Sequence, residues 1–181
     1  MKHFVMLPLL LVISCQEKDA GKQKLTNNLE AVWAEYEPAS VLMDADIDPF
    51  VAVEAMSIDE VKVLLGHMYQ ADQQYRDSLY NGNPDRKDYY WKKIYGNDQA
   101  NKKLLNKILD KYGWPCIAKF GEAGSEAAWY VAWHQRDSER SMATYLKYME
   151  EADRRHDMKH EQYLLVKNQL ANLRSVGNAN N

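Results

Sequence analysis

Three polar residues occupy positions where the pattern of the chain calls for apolar ones. Ile58, Val61, Leu65, Met68, Asp72, Tyr75 and Leu79 follow one another at spacings of three and four, the stripe that a helix turns toward a core. Asp72 takes one slot of that stripe, and a carboxylate is costly there unless it is paired. Arg76 lies four residues on, within reach of it. Asn101 opens a second stripe with Leu104, Leu105, Ile108 and Tyr112, and His134 follows Tyr130 and Val131 on a third segment that is otherwise nearly all apolar. A carboxylate, a guanidinium, an amide and an imidazole are the parts of an acid–base or polar recognition site, provided that they meet in space. The alternative is three unrelated groups: Asp72 and Arg76 as a local surface pair worth less than ~1 kcal/mol, and Asn101 in a wet first turn.

The elements that would position them are helices. The periodicity is helical nearly throughout, which predicts an all-α domain: a single compact bundle of six or seven helices with short loops. Leu29, Val32, Trp33 and Tyr36 mark a short first helix ended by Pro38, and residues 39–56 read as irregular and partly acidic. Ser57-Ile58-Asp59-Glu60 has the form of a capping box, opening a long helix to about Tyr80. Asn81-Gly82-Asn83-Pro84 is a turn. An aromatic helix over 86–95 is expected to break at Gly96-Asn97, with Asp98 capping the next helix as far as Tyr112. Trp114 to Gly124 reads as a loop or short extended stretch, Ser125 as the cap of a helix to about Gln135, and two more helices are expected over 139–154 and 157–174.

Other constellations are weaker. His156 and His160 have the spacing of a zinc-binding helix, but Arg154 and Arg155 beside them oppose a dication. Asp44, Asp46 and Asp48 resemble the start of a calcium loop, but Pro49 stands where glycine is required and no Glu falls at the twelfth position, which excludes an EF-hand. No metal or cofactor is expected. No phosphate-binding loop, nucleophile elbow or CxxC pair is present.

The chain has 181 residues, 46% hydrophobic and 27% charged, and a net charge of −3, which suits one folded domain and offers no basic field for nucleic acid. Met1-Lys2-His3 and the apolar run Phe4 to Ile13 form a signal-peptide core too short to span a bilayer, which needs about 20 residues. The run ends Val12-Ile13-Ser14-Cys15, similar to a bacterial lipobox. Residues 1–14 are therefore expected to be cleaved, Cys15 to be lipidated, and residues 16–28 to be a flexible tether. The domain is expected over 29–175, with a frayed tail over 176–181. Gln16 in place of Asp lacks the inner-membrane retention signal, so the expected location is the cell envelope, on the outer membrane, facing the periplasm or the cell surface. With Cys15 acylated, Cys116 is left without a disulfide partner and reads as a buried spectator.

Asp72-Gln73-Gln74-Tyr75-Arg76, Asp98-Gln99-Ala100-Asn101, Gly113-Trp114-Pro115 and Ala127-Ala128-Trp129 with His134 resemble, in order, the motifs of the bacterial family known as domain of unknown function 6624. The resemblance covers about residues 58–152 and implies an exported helical protein whose site includes Asp72, Gln73, Arg76, Asn101, Trp114 and His134. The chain departs from the pattern at Trp133, Arg136 and Met142, and the closing segment of the family has no match in 156–181. These losses favour a binding module, with an aromatic, polar-lined pocket for a small molecule or an envelope protein. The alternative is a hydrolase-like enzyme with His134 as acid or base, Asp72 orienting it, Arg76 and Asn101 holding an oxygen, and Trp114 as a wall.

Overall fold

The computed structural model describes residues 39–179, and the expected signal, the lipidated Cys15, the tether and the helix around Trp33 lie outside the described residues. Those described are all helical, with no strand among them. Helix α1 is Ala39–Leu42, α2 is Ile58–Gln73, α3 is Arg76–Asn81, α4 is Lys87–Tyr112, α5 is Ile117–Trp133, α6 is Glu139–Arg154 and α7 is His160–Ala179. Five of these are long and carry the fold. Helices α1 and α3 are a turn or so each, as are the 3₁₀ segments Val53–Ala55 and Pro84–Arg86.

The capping box at the head of α2 forms as expected: the Ser57 hydroxyl accepts from the Glu60 N–H, and the Glu60 carboxylate accepts from the Ser57 N–H. Other expectations are corrected. The expected break at Gly96-Asn97 does not occur, and α4 runs through it for 26 residues. Both breaker residues answer to tertiary contacts instead. A Cβ built on Gly96 would lie 3.0–3.1 Å from the backbone of Val41, Asp44 and Ala45, so glycine is what lets that segment lie directly on α4. Asn97 is fully buried and spends its amide on neighbouring backbone.

The long helix expected to reach Tyr80 stops at Gln73 and resumes at Arg76. Helix α5 begins at Ile117, before the expected Ser125 cap, and turns sharply at Gly121 with φ 75°. Its first N–H groups are satisfied by Asp157, whose carbonyl accepts from Ile117 N at 2.9 Å and whose carboxylate accepts from Ala118 N at 2.7 Å. A cap supplied from 40 residues away leaves no local signature, while Ser125 is buried inside the helix. His156 sits in the turn before α7 with φ 55°, so it shares no helix with His160, and His160 pairs with Asp153 at 2.8 Å. The zinc-helix spacing therefore has no helix beneath it.

Helices α2 and α5 lie side by side and point the same way. Leu65 faces Gly124, Tyr69 meets Tyr130 edge-on at 5.4 Å between ring centroids, and Asp72 faces His134, so both chains advance together along one seam. Helices α6 and α7 run antiparallel, tied at one end by His160 to Asp153 and at the other by Arg174 to Glu139. The core between them includes Val61, Leu65, Met68, Leu104, Leu105, Ile108, Ala128, Val131, Met142, Tyr145 and Met149.

The acidic segment before α2 is held to α4 by lysines. Lys93 donates to Asp44 O and Asp46, Lys107 to Pro49 O and Val51 O, and Lys111 to Val53 O, Glu54 O and Met56 O. These charge-assisted bonds reach carbonyls that lie in no α-helix. Two glycines test this picture. Gly66 lies exposed in the middle of α2 with nothing within 4 Å of a built Cβ, so Gly66→Ala should stabilise by about 0.5–1 kcal/mol. Gly96→Ala should destabilise despite the same gain in helix propensity. Thermal unfolding of both variants checks it; stabilisation of both would contradict the backbone-on-backbone contact at Gly96.

Candidate functional site

The ends of α2 and α5 bring Asp72 and His134 together. Asp72 lies in the last turn of α2, and only 1% of its side chain is exposed. Its Oδ2 is 3.1 Å from His134 Nε2, off the line of the N–H, and accepts from Gln73 Nε2 at 2.5 Å. Its Oδ1 accepts from Arg76 Nη2 at 3.1 Å. Arg76 is available there because the chain breaks at Gln74 and Tyr75 and re-enters a helix at Arg76. The same Nη2 donates at 2.5 Å to Asp98 Oδ1 on α4. His134, the C-terminal cap of α5, thus connects through Asp72 and Arg76 to Asp98. Arg76, Asp98 and His134 keep 23%, 16% and 16% of their side chains exposed, so one rim of the cluster meets solvent.

The two carboxyls are driven apart. Burial works to raise the Asp72 pKa, but the close contact and charge of His134, and then Arg76, outweigh it and hold the group below 3.8. Asp98 goes the other way. Burial pushes it up to about 6, the Asp72 charge adds to that, and Arg76 and His134 oppose without prevailing. Asp72 is therefore a fixed anion near neutral pH, whereas Asp98 can gain and lose a proton there.

Of the residues picked out in the sequence, the fold joins Asp72, Gln73, Arg76 and His134. Asn101 lies beside them, fully buried, but its amide donates to Met68 O at 2.9 Å, which leaves only its Oδ1 without a partner. Arg76 Nη2 is likewise shared between two carboxylates, while its Nε has no partner among the described residues. Trp114 is not brought to the cluster. It packs in the main core beyond the C-terminus of α4, about 20 Å along the helix from Asp98 at 1.5 Å per residue. The aromatic groups nearest in the chain to His134 are instead those of α5, where Trp129 stacks on Trp133 and touches Tyr130.

The sequence reading missed Asp98, Asn97 and Asp46. Asp98 has the local character of a helix cap after Gly96-Asn97, yet Ile94, Asp98, Asn101 and Leu105 form one stripe of the same kind that singles out Asp72. Asn97 binds the break in place: its Nδ2 donates to Ala71 O at 2.8 Å and its Oδ1 accepts from Asp46 N at 2.7 Å. Asp46 in turn accepts from Gln74 Nε2 and Lys93 Nζ, each at 2.7 Å. Arg76 Nε in the cluster and the neighbouring Asn101 Oδ1 are buried without a hydrogen-bond partner, which is uncommon inside a folded protein.

Opposite substitutions separate the two acids. Asp72 is lowered on folding, so its ionised form stabilises the protein above the ordinary aspartate range and that contribution is lost as pH falls through its folded pKa. Asp72→Asn should destabilise at pH 7.5 by about 2–4 kcal/mol, since it leaves Arg76 and His134 short of their anion. Asp98 is raised, so its contribution is present at low pH and lost as pH rises toward about 6. Asp98→Asn should leave the protein at least as stable at pH 7.5, by up to about 3 kcal/mol. Denaturant unfolding checks both, and a large loss from Asp98→Asn would show that Asp98 is an ordinary structural partner of Arg76. Set against protein-family models, curated proteins and solved structures, the chain matches none.

Proposed function

We propose that this chain is an envelope lipoprotein, anchored through acylated Cys15, whose Asp72–His134–Arg76–Asp98 cluster is the acid–base centre of a hydrolase-like enzyme. The observation that carries the reading is the 3.1 Å contact of His134 with an almost fully buried carboxylate, in one network with a second carboxyl displaced toward neutrality. In this reading Asp98 is the general base: its carboxylate takes a proton from a water whose oxygen adds to the electrophilic centre. His134 is the general acid and passes a proton to the departing oxygen or nitrogen. Asp72 is a positioning residue that fixes the ring of His134 and balances its charge. Arg76 holds the two carboxylates in register.

The binding-module reading keeps one observation in its favour, the aromatic surface of Tyr69, Tyr130, Trp129 and Trp133 next to His134 in the seam. Such a surface suits the apolar part of a ligand and serves a binder and an enzyme equally well. The family resemblance adds the grouping of Asp72, Gln73, Arg76 and His134 in one motif set, and it belongs to the proposal. The anchor rests on the sequence alone. Among the described residues no helix is long and apolar enough to cross a membrane.

Turnover of chromogenic ester, amide, phosphoester and glycoside probes by the full chain tests the reading. The expected kcat/KM for the probe cleaved rises as pH increases through about 6, because Asp98 must be ionised to act as base. Asp98→Asn and His134→Ala should each reduce it about 10²–10⁴-fold with the fold intact. Turnover unchanged in both variants would overturn the assignment, and retention of a ligand with no turnover of any probe would leave the binding module.

A further inference from the structure

Asp44, Asp46 and Asp48 alternate along the segment before α2, and the fold spends each carboxylate differently. Asp44 pairs with Lys92 at 3.2 Å, and Asp48 accepts from the Phe50 N–H at 2.8 Å within its own turn. Asp46 turns toward the break between α2 and α3. Its Oδ2 accepts from Gln74 Nε2 at 2.7 Å, and the Tyr75 hydroxyl is bonded to the same carboxylate. Its Oδ1 accepts from Lys93 Nζ at 2.7 Å. Its backbone N–H donates to Asn97 Oδ1 at 2.7 Å, while Asn97 Nδ2 donates to Ala71 O at the end of α2. Gln74 and Tyr75 are the two residues before Arg76, and Asn97 is the residue before Asp98. One residue thus grips the chain immediately before both members of the Arg76–Asp98 ion pair. The grip is seated firmly, because the segment that carries it lies backbone on backbone against Gly96. The pair needs such a grip. Arg76 Nη2 also reaches Asp72 at 3.1 Å, and a long side chain with two anions in range divides between them according to where its backbone is held.

We infer that Asp46 is a positioning residue that holds Arg76 against Asp98. The inference rests on the reading of Asp98 as the base of the site. Without the grip, Arg76 turns to Asp72, the more deeply buried of the two acids, and Asp98 loses the cation that most opposes the effect of its burial. The charged groups that act on Asp98 are Arg76 from α3, Asp72 from α2 and His134 from α5. Withdrawal of Arg76 raises the proton affinity of Asp98. Loss of the Asp46 charge by itself works the other way, because an anion disappears from the neighbourhood. The sign of the change therefore separates a positioning role from the effect of a distant charge.

The test follows the Asp98 carboxyl carbon by NMR across the acid and neutral range in the purified full chain, and it needs no substrate. In Asp46→Ala the midpoint near 6 should rise by about half a unit or more. Gln74→Ala removes an exposed arm of the grip without a change of charge, so it folds even if Asp46→Ala does not, and it should raise the midpoint too. Asp44→Ala makes the same change of charge on the same segment and should not raise it. A midpoint that stays or falls in the folded Asp46 and Gln74 variants overturns the inference, and so does an equal rise in Asp44→Ala. In turnover, the acid limb of kcat/KM should move upward together with the Asp98 midpoint. The two readings fail separately. If the midpoint rises and the acid limb stays, Asp46 positions Arg76 and the base assignment falls. If the midpoint holds while turnover still depends on Asp98, the base stands and the positioning role falls.

Discussion

An anion buried to 1% exposure has to be neutralised, and the arrangement around Asp72 follows from that requirement. One oxygen is met by Arg76 and the other by His134 and Gln73. Arg76 can reach it because α2 ends at Gln73 and the chain turns before re-entering a helix. His134 can reach it because α5 runs parallel to α2 and ends level with it. The parallel seam in turn needs the close approach at Gly124, where an added Cβ would lie 3.1 Å from Phe120 Cβ and 3.3 Å from Leu65 Cδ1. The pairing of one carboxylate therefore ties together a helix break, a helix end and a glycine contact from distant parts of the chain.

A second consequence falls on Asp98. Arg76 is already engaged by Asp72, so it neutralises Asp98 only in part, and the Asp72 charge works against Asp98 as well. Burial of Asp98 and the His134 contact at Asp72 separate their proton affinities, a division that recurs where two carboxyls take different roles in catalysis. The backbone clamp of Asn97, Asp46 and Gln74 holds the break at which this arginine emerges, which makes the irregular segment before α2 part of the support of the site.

Much of this was legible in the sequence. The slot of Asp72 in an apolar stripe, Arg76 one turn on and His134 at the end of an apolar helix all obey local periodicity, and so does the capping box at Ser57. What escaped it was decided by contacts distant in sequence. Gly96 and Asn97 have the local character of a helix break, but the chain at 41–46 lies over one and hydrogen-bonds to the other, so the helix continues. The start of α5 is capped by Asp157, which no local window around Ile117 contains. Trp114 sits next to a helix stop in the sequence, and only the length of α4 shows how far that end is from Asp98. Asp98 itself carried the right periodic signal and was hidden by the misplaced break.

Asp72 and Asp98, joined by one guanidinium, hold their protons at opposite ends of the aspartate range. Carboxyl carbon-13 chemical shifts of both residues, followed by NMR from pH 2 to 8, test it most directly. Asp98 should titrate near 6 and Asp72 below the ordinary value of 3.8. Two carboxyls titrating together between 3.5 and 4.5, the range of unperturbed aspartates, would contradict it.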